Sequence, residues 1–536
     1  MPLKIPFFRQ KPAESPAPEF IDIDDARTLR GLERSCGREL ETAWKRRHSA
    51  DGSEVREFYL RSADLQARYP LGLLPVAQKR LAKWLLKQGR SQHDFSDEQV
   101  LAFLADTVAD LLRALADTYL ITPQWQERFP AIGSATEQRG LLDSLRAEFP
   151  EWRAMRKVHS LPLASPRVVL PNELGANLLA HFCYPSGLQQ GALATKAALE
   201  SADVAVSCRD VPVGMRTRMI PRRDWLNAEI FPITILIMAP VPYTETAYQR
   251  AGLHRRPDVY RIAYWSWELD SLPAEWPGFE GLFDEIWTPS TFIAETMRSR
   301  FRVPISVMPH ALVMPPPELI RRSEIGIRDD HYLFLFMFDM SSELERKNPF
   351  GLIRAFRRAF SPDEKVTLLL KLVRGELDPA GMARLEAAAG DANIVIVNEV
   401  VSRERALGFV KMSDCYVSLH RSEGFGLALA EAMALGKPVI STGYSGNLDF
   451  MNAGNSFLVD YKIVPVESEG PNYRCGGQWA EPSEEHAATL MRSVWLDPGM
   501  AANKGAQARL DVVAQLATEA IGVRMRSRLR EIAAGP

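Results

Sequence analysis

A chain of 536 residues is too long for one hydrophobic core and divides into roughly three or four units. Its 46% apolar and 25% charged residues are the make-up of a soluble globular chain and exclude a largely disordered or collagen-like one. With 65 Lys and Arg against 67 Asp and Glu, the formal charge of -2 argues against bulk nucleic-acid binding.

The opening MPLKIPFFRQKPAESPAP lacks the apolar stretch of a signal peptide, and apolar runs such as 233–241 fall far short of the ~20 residues that span a bilayer. A cytoplasmic location is therefore expected. Residues 1–19 read as a Pro-rich disordered tail, whose basic and aromatic end could touch anionic lipid at the inner face of a membrane. Residues 20–160 show apolar spacing of three and four, which predicts an α-helical domain. Helices are expected over 76–89, with Gly89 as the stop, and over 98–120, with Ser96 as N-cap and Gln99 closing a capping box.

Beyond a Pro- and Gly-bearing stretch at 165–175, strand and helix patterns alternate, as in a parallel sheet wrapped by helices. The first α/β unit, 172–314, has strands predicted at 177–182, 204–207, 233–238, 261–265, 285–288 and 305–308. After the hinge Pro315-Pro316-Pro317, a second unit over 328–483 has strands predicted at 332–339, 366–373, 394–398, 415–419 and 438–441, and residues 484–536 read as helices. Two such units in tandem enclose a cleft, and ligands of such sheets sit beyond the carboxyl ends of the strands. Five cysteines, Cys36, Cys183, Cys208, Cys415 and Cys475, lack any Cys-x-x-Cys or His partner spacing, so they read as reduced thiols, mostly buried.

Within the second unit, YVSLHRSEGFGLALAEAMALGKPVISTGYSGN (416–447) combines a strand, a glycine-broken turn, an alanine-rich helix, Gly436 as its stop and a strand opened by Pro438. Gly424 and Gly426 permit close backbone approach, and the free amides at the helix start near Leu427 favour an anion. Glu423 precedes the turn and Glu431 lies inside the helix. The string EGFGLALAEAMALGKPVIST resembles the Glu-seven-residues-Glu signature of retaining glycosyltransferases of the GT-B fold, the family-four type of glycosyl transferases group 1.

That resemblance implies two Rossmann-like doubly wound domains facing a cleft, here preceded by the helical domain. It places Glu423 against the donor sugar as a catalytic residue and Glu431 against the ribose hydroxyls, with His420, Gly424, Phe425, Gly426, Leu427 and Asn447 of the same string as substrate-binding candidates. The segment FMFDMSSELERKNPFGLIRAFRRAF (336–360) is similar to the family's first strand and helix of the C-terminal domain, where Lys347 would grip the donor diphosphate. Asn348 and Pro349 mark a helix start beside it. Many relatives carry an Arg five or six residues before that Lys; this chain has Ser341 and Ser342, so the two-cation clamp is either incomplete or borrows Arg346.

In the first unit, YPSGLQQGALATKAALESADV (184–204) is similar to the family's first glycine loop, which implicates Gly187, although a plain turn reads the residues nearly as well. RIAYWSWELDSLPAEW (261–276) resembles a polysaccharide-synthesis branch of the family. Where many relatives place a His, Glu268 stands here, as either a sugar or acceptor contact or a structural ion-pair partner. Four of the eleven Trp fall between Trp265 and Trp287, to stack on sugar or, more commonly, to pack. His310 reads as a hinge residue rather than a base.

The expected activity is transfer of a hexose from a nucleotide diphosphate sugar to a hydroxyl of a glycan or lipid-linked glycan, with retention, in cell-surface or exopolysaccharide assembly. No cofactor and no metal are expected, since no strand-end Asp-x-Asp pair or His cluster appears. Rival readings are a sugar-nucleotide epimerase of the same shape and a non-catalytic carbohydrate-binding scaffold.

Overall fold

The computed structural model describes residues 25–130, 132–163, 174–213, 222–240, 243–273, 276, 281–390, 393–466 and 477–534. The tail 1–19, most of the linker at 165–175, and Cys475 lie outside them.

The helical region buries two apolar clusters, one around Leu32, Val55, Leu81 and Phe103 and one around Leu115, Leu141, Leu145 and Met155. A buried ion pair, Arg56 to Asp117 at 2.7 Å, joins helix Ser53–Arg61 to helix Leu111–Ile121. Ser96 and Gln99 form the expected capping box. Gly89 does not stop its helix: a π turn, Leu85–Gly89, carries the chain on to His93, and Asp94 at φ 60 ends it. The glycine is required by packing, since a Cβ there would lie 2.6 Å from the Trp84 ring. The helix expected over 98–120 is two, Asp97–Ala109 and Leu111–Ile121, because Asp110 leaves helical geometry and its carboxylate caps the second.

The first sheet contains β1 (Gly175–Ala180), β2 (Ala205–Asp210), β3 (Ile233–Ile237), β4 (Tyr260–Tyr264), β5 (Glu285–Thr288) and β6 (Ile305–Val307), in the order β2-β1-β3-β4-β5-β6 and parallel throughout. The second contains β7 (Tyr332–Asp339), β8 (Val366–Val373), β9 (Ile394–Asn398), β10 (Cys415–Ser418), β11 (Val439–Thr442) and β12 (Phe457–Val459), ordered β12-β11-β10-β7-β8-β9 and again parallel. Each sheet reverses its winding once, between β1 and β3 and between β7 and β10. The loops at these switch points are where such sheets receive ligands.

Three strands escaped the sequence reading: β12, and an antiparallel hairpin of β13 (Tyr461–Pro465) and β14 (Gln478–Pro482). β2 runs to Asp210, beyond its predicted end, because Arg209 and Asp210 are charged yet buried. The hairpin's Trp479 packs with Trp267, Leu269 and Trp276 of the first half. The last helix, Thr518–Ala534, also returns to that half: Arg528 pairs with Glu285 at 2.8 Å, and Gly522 lies so close to helix Gly187–Ser201 that a Cβ would overlap the Ala198 carbonyl.

The helical region docks at β2, the sheet's edge strand, through two buried arginines. Arg222 donates to the Leu60 carbonyl, and its amide donates to Glu57 at 2.9 Å. Arg209 donates to the Leu120 carbonyl, and to those of Ala251 at 2.7 Å and Leu226 at 2.9 Å. Leu60 and Leu120 end helices Ser53–Arg61 and Leu111–Ile121, where carbonyls lack intrahelical partners and the helix dipole favours a cation.

Candidate active site

Three glycines of the 416–447 string are needed by conformation or close approach. Gly426 has φ 89 as N-cap of helix Leu427–Ala434, a Cβ on Gly424 would lie 2.6 Å from the Trp267 carbonyl, and one on Gly446 would overlap the Gly424 carbonyl. The turn after β10 thus lies against the first half on one side and the Ser445–Gly446 turn on the other. The Glu423 amide donates to Ser445 Oγ at 2.8 Å, and Gly446 N–H donates to the Glu423 carbonyl at 2.9 Å.

Asn348 brings the second cationic segment to this turn. It sits at φ 54 between the short helix Leu344–Lys347 and helix Pro349–Ala359, accepts from the Gly351 amide at 3.1 Å, and donates to the Leu419 carbonyl at 2.9 Å. That last bond ties the β7 loop to the β10 loop across the switch point. Lys347 Nζ then meets Glu423 Oε1, and Arg346 Nη1 lies 3.5 Å from Glu423 Oε2 while donating to the Ser422 carbonyl at 2.8 Å. Glu268, from the loop after β4, faces Arg346 Nη2 at 3.8 Å, and its carbonyl accepts from Ser422 Oγ. Glu423, Lys347, Arg346 and Glu268 are therefore one cluster, drawn from both halves.

Burial alone would push the Glu423 carboxyl up, but the charges of Lys347 and Arg346 outweigh it and hold the group down at about 2. Burial pulls the Lys347 ammonium below its ordinary value, with Glu423 opposing. The pair is held ionised, because a proton passed from Lys347 to Glu423 would leave the buried Arg346 facing a neutral acid.

Glu431 is buried on the core side of its helix, and Arg403, the first residue of helix Arg403–Met412, pairs with its Oε1. Burial raises the Glu431 carboxyl while Arg403 lowers it. One oxygen is thus already engaged, where the sequence reading left both for ribose hydroxyls. Arg403 went unnoticed in the sequence, although Ser402 ahead of it is an N-cap signal at a strand end. Arg374, also missed, ends β8 in a left-handed conformation (φ 61), is buried, and donates to Asp339 Oδ1 at 3.0 Å and across the cleft to the Pro185 carbonyl at 2.9 Å. Ser341 Oγ donates to the same Asp339 oxygen at 2.8 Å. Arg374 thus supplies a guanidinium at this strand end.

Other predicted residues fall differently. His420 and Asn447 are fully buried behind the turn, His420 Nε2 3.3 Å from Asn447 Oδ1 and Asn447 donating to the Thr442 carbonyl at 3.1 Å, so they brace the loop from within instead of lining the cleft. Burial holds the His420 imidazole down at about 4. Phe425 is buried against Phe450 and, across the cleft, His310, with ring centroids 5.2 and 5.3 Å apart. His310 also meets the Tyr264 hydroxyl at 3.0 Å and lies 3.1 Å from where a Gly191 Cβ would stand, the contacts of a hinge residue. Leu427 packs half-buried on the core. Gly187 begins its helix facing open space, two residues past the Pro185 carbonyl that Arg374 holds. All four tryptophans of the 265–287 stretch are buried, so they pack.

Two parallel sheets whose switch-point loops meet face to face, one carrying a buried cluster of ions, define the GT-B class of architecture. Residues 320–464, most of the second α/β unit, match the family described as glycosyl transferases group 1. That match carries the glycosyltransferase class. Similar solved structures include HepE of Anabaena in complex with UDP and glucose, at 12% identity over 67% of this chain and 100% of that one, with a TM-score of 0.44. A glycosyltransferase from Rickettsia africae is 13% identical over 68% and 100%, with a TM-score of 0.49. Sucrose-phosphate synthase of Thermosynechococcus elongatus is 15% identical over 68% and 100%, with a TM-score of 0.48. No curated protein sequence matches the chain. Among the described residues, no helix is long and apolar enough to cross a membrane.

Proposed function

We propose that the chain transfers a hexose from a nucleotide diphosphate sugar to a hydroxyl of a glycan or lipid-linked glycan, with retention of anomeric configuration, in cell-surface or exopolysaccharide assembly. The observation that carries this reading is Glu423, held ionised between Lys347 and Arg346 at the start of helix Leu427–Ala434. Breaking the anomeric bond builds negative charge on the departing phosphate and positive character on the sugar ring. Lys347, Arg346 and the amides of Gly426 and Leu427 favour the first, and the Glu423 carboxylate favours the second, so both act more strongly in the transition state than before it. Lys347 need not leave Glu423 to do so, since an ammonium has three donors and one carboxylate uses only part of them. Glu431, held by Arg403, offers its remaining oxygen to the ribose. The acceptor attacks from the face the phosphate leaves, and the phosphate takes its proton.

The donor is named by calorimetric titration of nucleotide sugars, and the outcome by NMR of the product's anomeric proton. An inverted linkage, or an epimerised sugar formed without an acceptor, would overturn the reading.

A further inference from the structure

The helical region contributes nothing to the ion cluster, yet it encloses, with the first α/β half, a cavity of about 340 Å3. This lies within the roughly 300–1,000 Å3 of small-molecule sites, which favour domain interfaces. Among the described residues, no Lys, Arg, Asp or Glu lines it. Its polar groups are amides and hydroxyls, set among prolines, alanines and leucine: Gln66, Thr118 and Thr122 on the helical side, and Gln249 on the α/β side with Gln124 at the rim. Gln66 is spent on the Tyr59 and Leu60 carbonyls and Thr122 on Thr118, whereas Gln124 and Gln249 are exposed and their side-chain amides bond no other described residue.

One wall is strained. Leu71 has φ 58, a conformation that bulky residues rarely adopt. The Tyr59 hydroxyl enforces it, donating to the Tyr69 carbonyl at 2.6 Å while accepting from the Gly72 amide at 2.9 Å, so both flanks of Leu71 hang on one buried group. Strain so firmly braced at a cavity wall marks a shape the fold maintains. The opposite wall is tied to the reaction cleft: Arg209 holds the Gly252 carbonyl at 3.2 Å, and its neighbour Asp210 accepts from the Cys183 amide at 3.0 Å, ahead of the Gly187 turn.

We infer that this cavity binds an uncharged sugar segment of the glycan on which the enzyme works, a second carbohydrate site beside the acceptor half of the cleft. Free side-chain amides for hydroxyls, small apolar surfaces for sugar faces and a described lining without charge suit neutral saccharide and disfavour phosphate or a nucleotide. The inference rests on the glycan acceptor proposed above.

The test uses the full chain with saturating UDP and, by ligand-observed NMR and calorimetry, uncharged hexasaccharides of α-glucan, β-glucan and α-mannan beside a hyaluronan hexasaccharide. At least one uncharged probe should bind, and the charged one should not. Ala67→Trp, which fills the cavity from an exposed helical position, should weaken that binding about tenfold or more by direct clash, and Gln124→Ala with Gln249→Ala severalfold, with UDP affinity unchanged. Binding of no uncharged probe, equal binding by Ala67→Trp, or equal binding of hyaluronan would overturn the site. Glycan binding that obeys these variants in a chain that transfers nothing to any glycan would instead overturn the acceptor reading and leave the site standing.

Discussion

Two regions of this molecule bury basic side chains, and they bury them differently. Where the helical region meets β2, Arg209 and Arg222 spend their donors mainly on carbonyls, including two at helix ends, with Asp210 3.2 Å from Arg222 Nε. At the second sheet's switch point, Arg346 and Lys347 surround a carboxylate that faces the other half. Burial of a cation therefore does not mark function by itself; the partner does. Carbonyl partners make a fixed joint, whereas a cleft carboxylate held ionised can answer charge that develops in a substrate.

The strongest way to break this contrast is Arg222→Met. Removing one member of a buried, hydrogen-bonded charge pair typically costs about 3–5 kcal/mol, here by leaving the buried Asp210 carboxylate without its guanidinium. Scanning calorimetry should show a marked fall in melting temperature, while nucleotide affinity at a temperature where the variant is folded stays that of the parent. Weakened nucleotide binding in the folded variant would mean the joint shapes the donor site.

Lys347→Ala should do the reverse. Loss of one preorganised donor to a developing oxyanion lowers kcat by about 10²–10³, and without Lys347 the Glu423 carboxyl should rise from about 2. Steady-state transfer assays decide it; a kcat within threefold of the parent would remove Lys347 from the mechanism.

Much of this site was legible because its residues are contiguous. Glu423 to Glu431 and Arg346 to Pro349 each span one turn and one helix start, so spacing and capping chemistry report them directly. The strands β5, β7, β8 and β9 were legible for a like reason, being apolar runs between turn residues. What failed depends on the partner. Arg374 and Arg403 look like ordinary strand-end and helix-start cations until the fold brings Asp339 and Glu431 to them. Gly89 resembles a helix stop until Trp84 lies on it. His420 and Asn447 belong to the motif string, yet face inward.

A smaller effect tests the proposed division of labour between the two glutamates. Glu431→Ala should weaken bare nucleoside diphosphate and intact donor alike, by about 1–3 kcal/mol for a buried hydroxyl left without its acceptor. Glu423→Gln should leave bare-nucleotide affinity nearly unchanged and lower transfer sharply. Arg403→Ala adds a pH signature. Burial already raises Glu431 and Arg403 counteracts it, so losing the guanidinium raises the carboxyl further, and nucleotide affinity should decline on acidification at a higher pH than in the parent. Calorimetry across pH reads all three; identical pH profiles would show that Arg403 does not tune Glu431.

The smallest expected effect is no change of transfer rate after metal removal by EDTA. In the proposed mechanism the charge leaving with the diphosphate is met by Lys347, Arg346 and the amides opening helix Leu427–Ala434, and the acids nearest them are already held. Glu423 is paired with Lys347, Asp339 with Arg374, and Glu431 with Arg403, while Asp449 accepts from Thr291. Among the described residues, no group of three or more His, Cys, Asp or Glu side chains is placed to hold a metal ion. A divalent ion bound by these acids would have to displace an ammonium or a guanidinium from its carboxylate, forfeiting a charge-assisted bond for each ligand gained. Initial rates in chelator should therefore match those in Mg²⁺ or Mn²⁺. A rate lost in EDTA and restored only by a divalent ion would show that the protein cations do not suffice for the departing phosphate, and the cleft ion cluster would then be, like the arginines at β2, a joint.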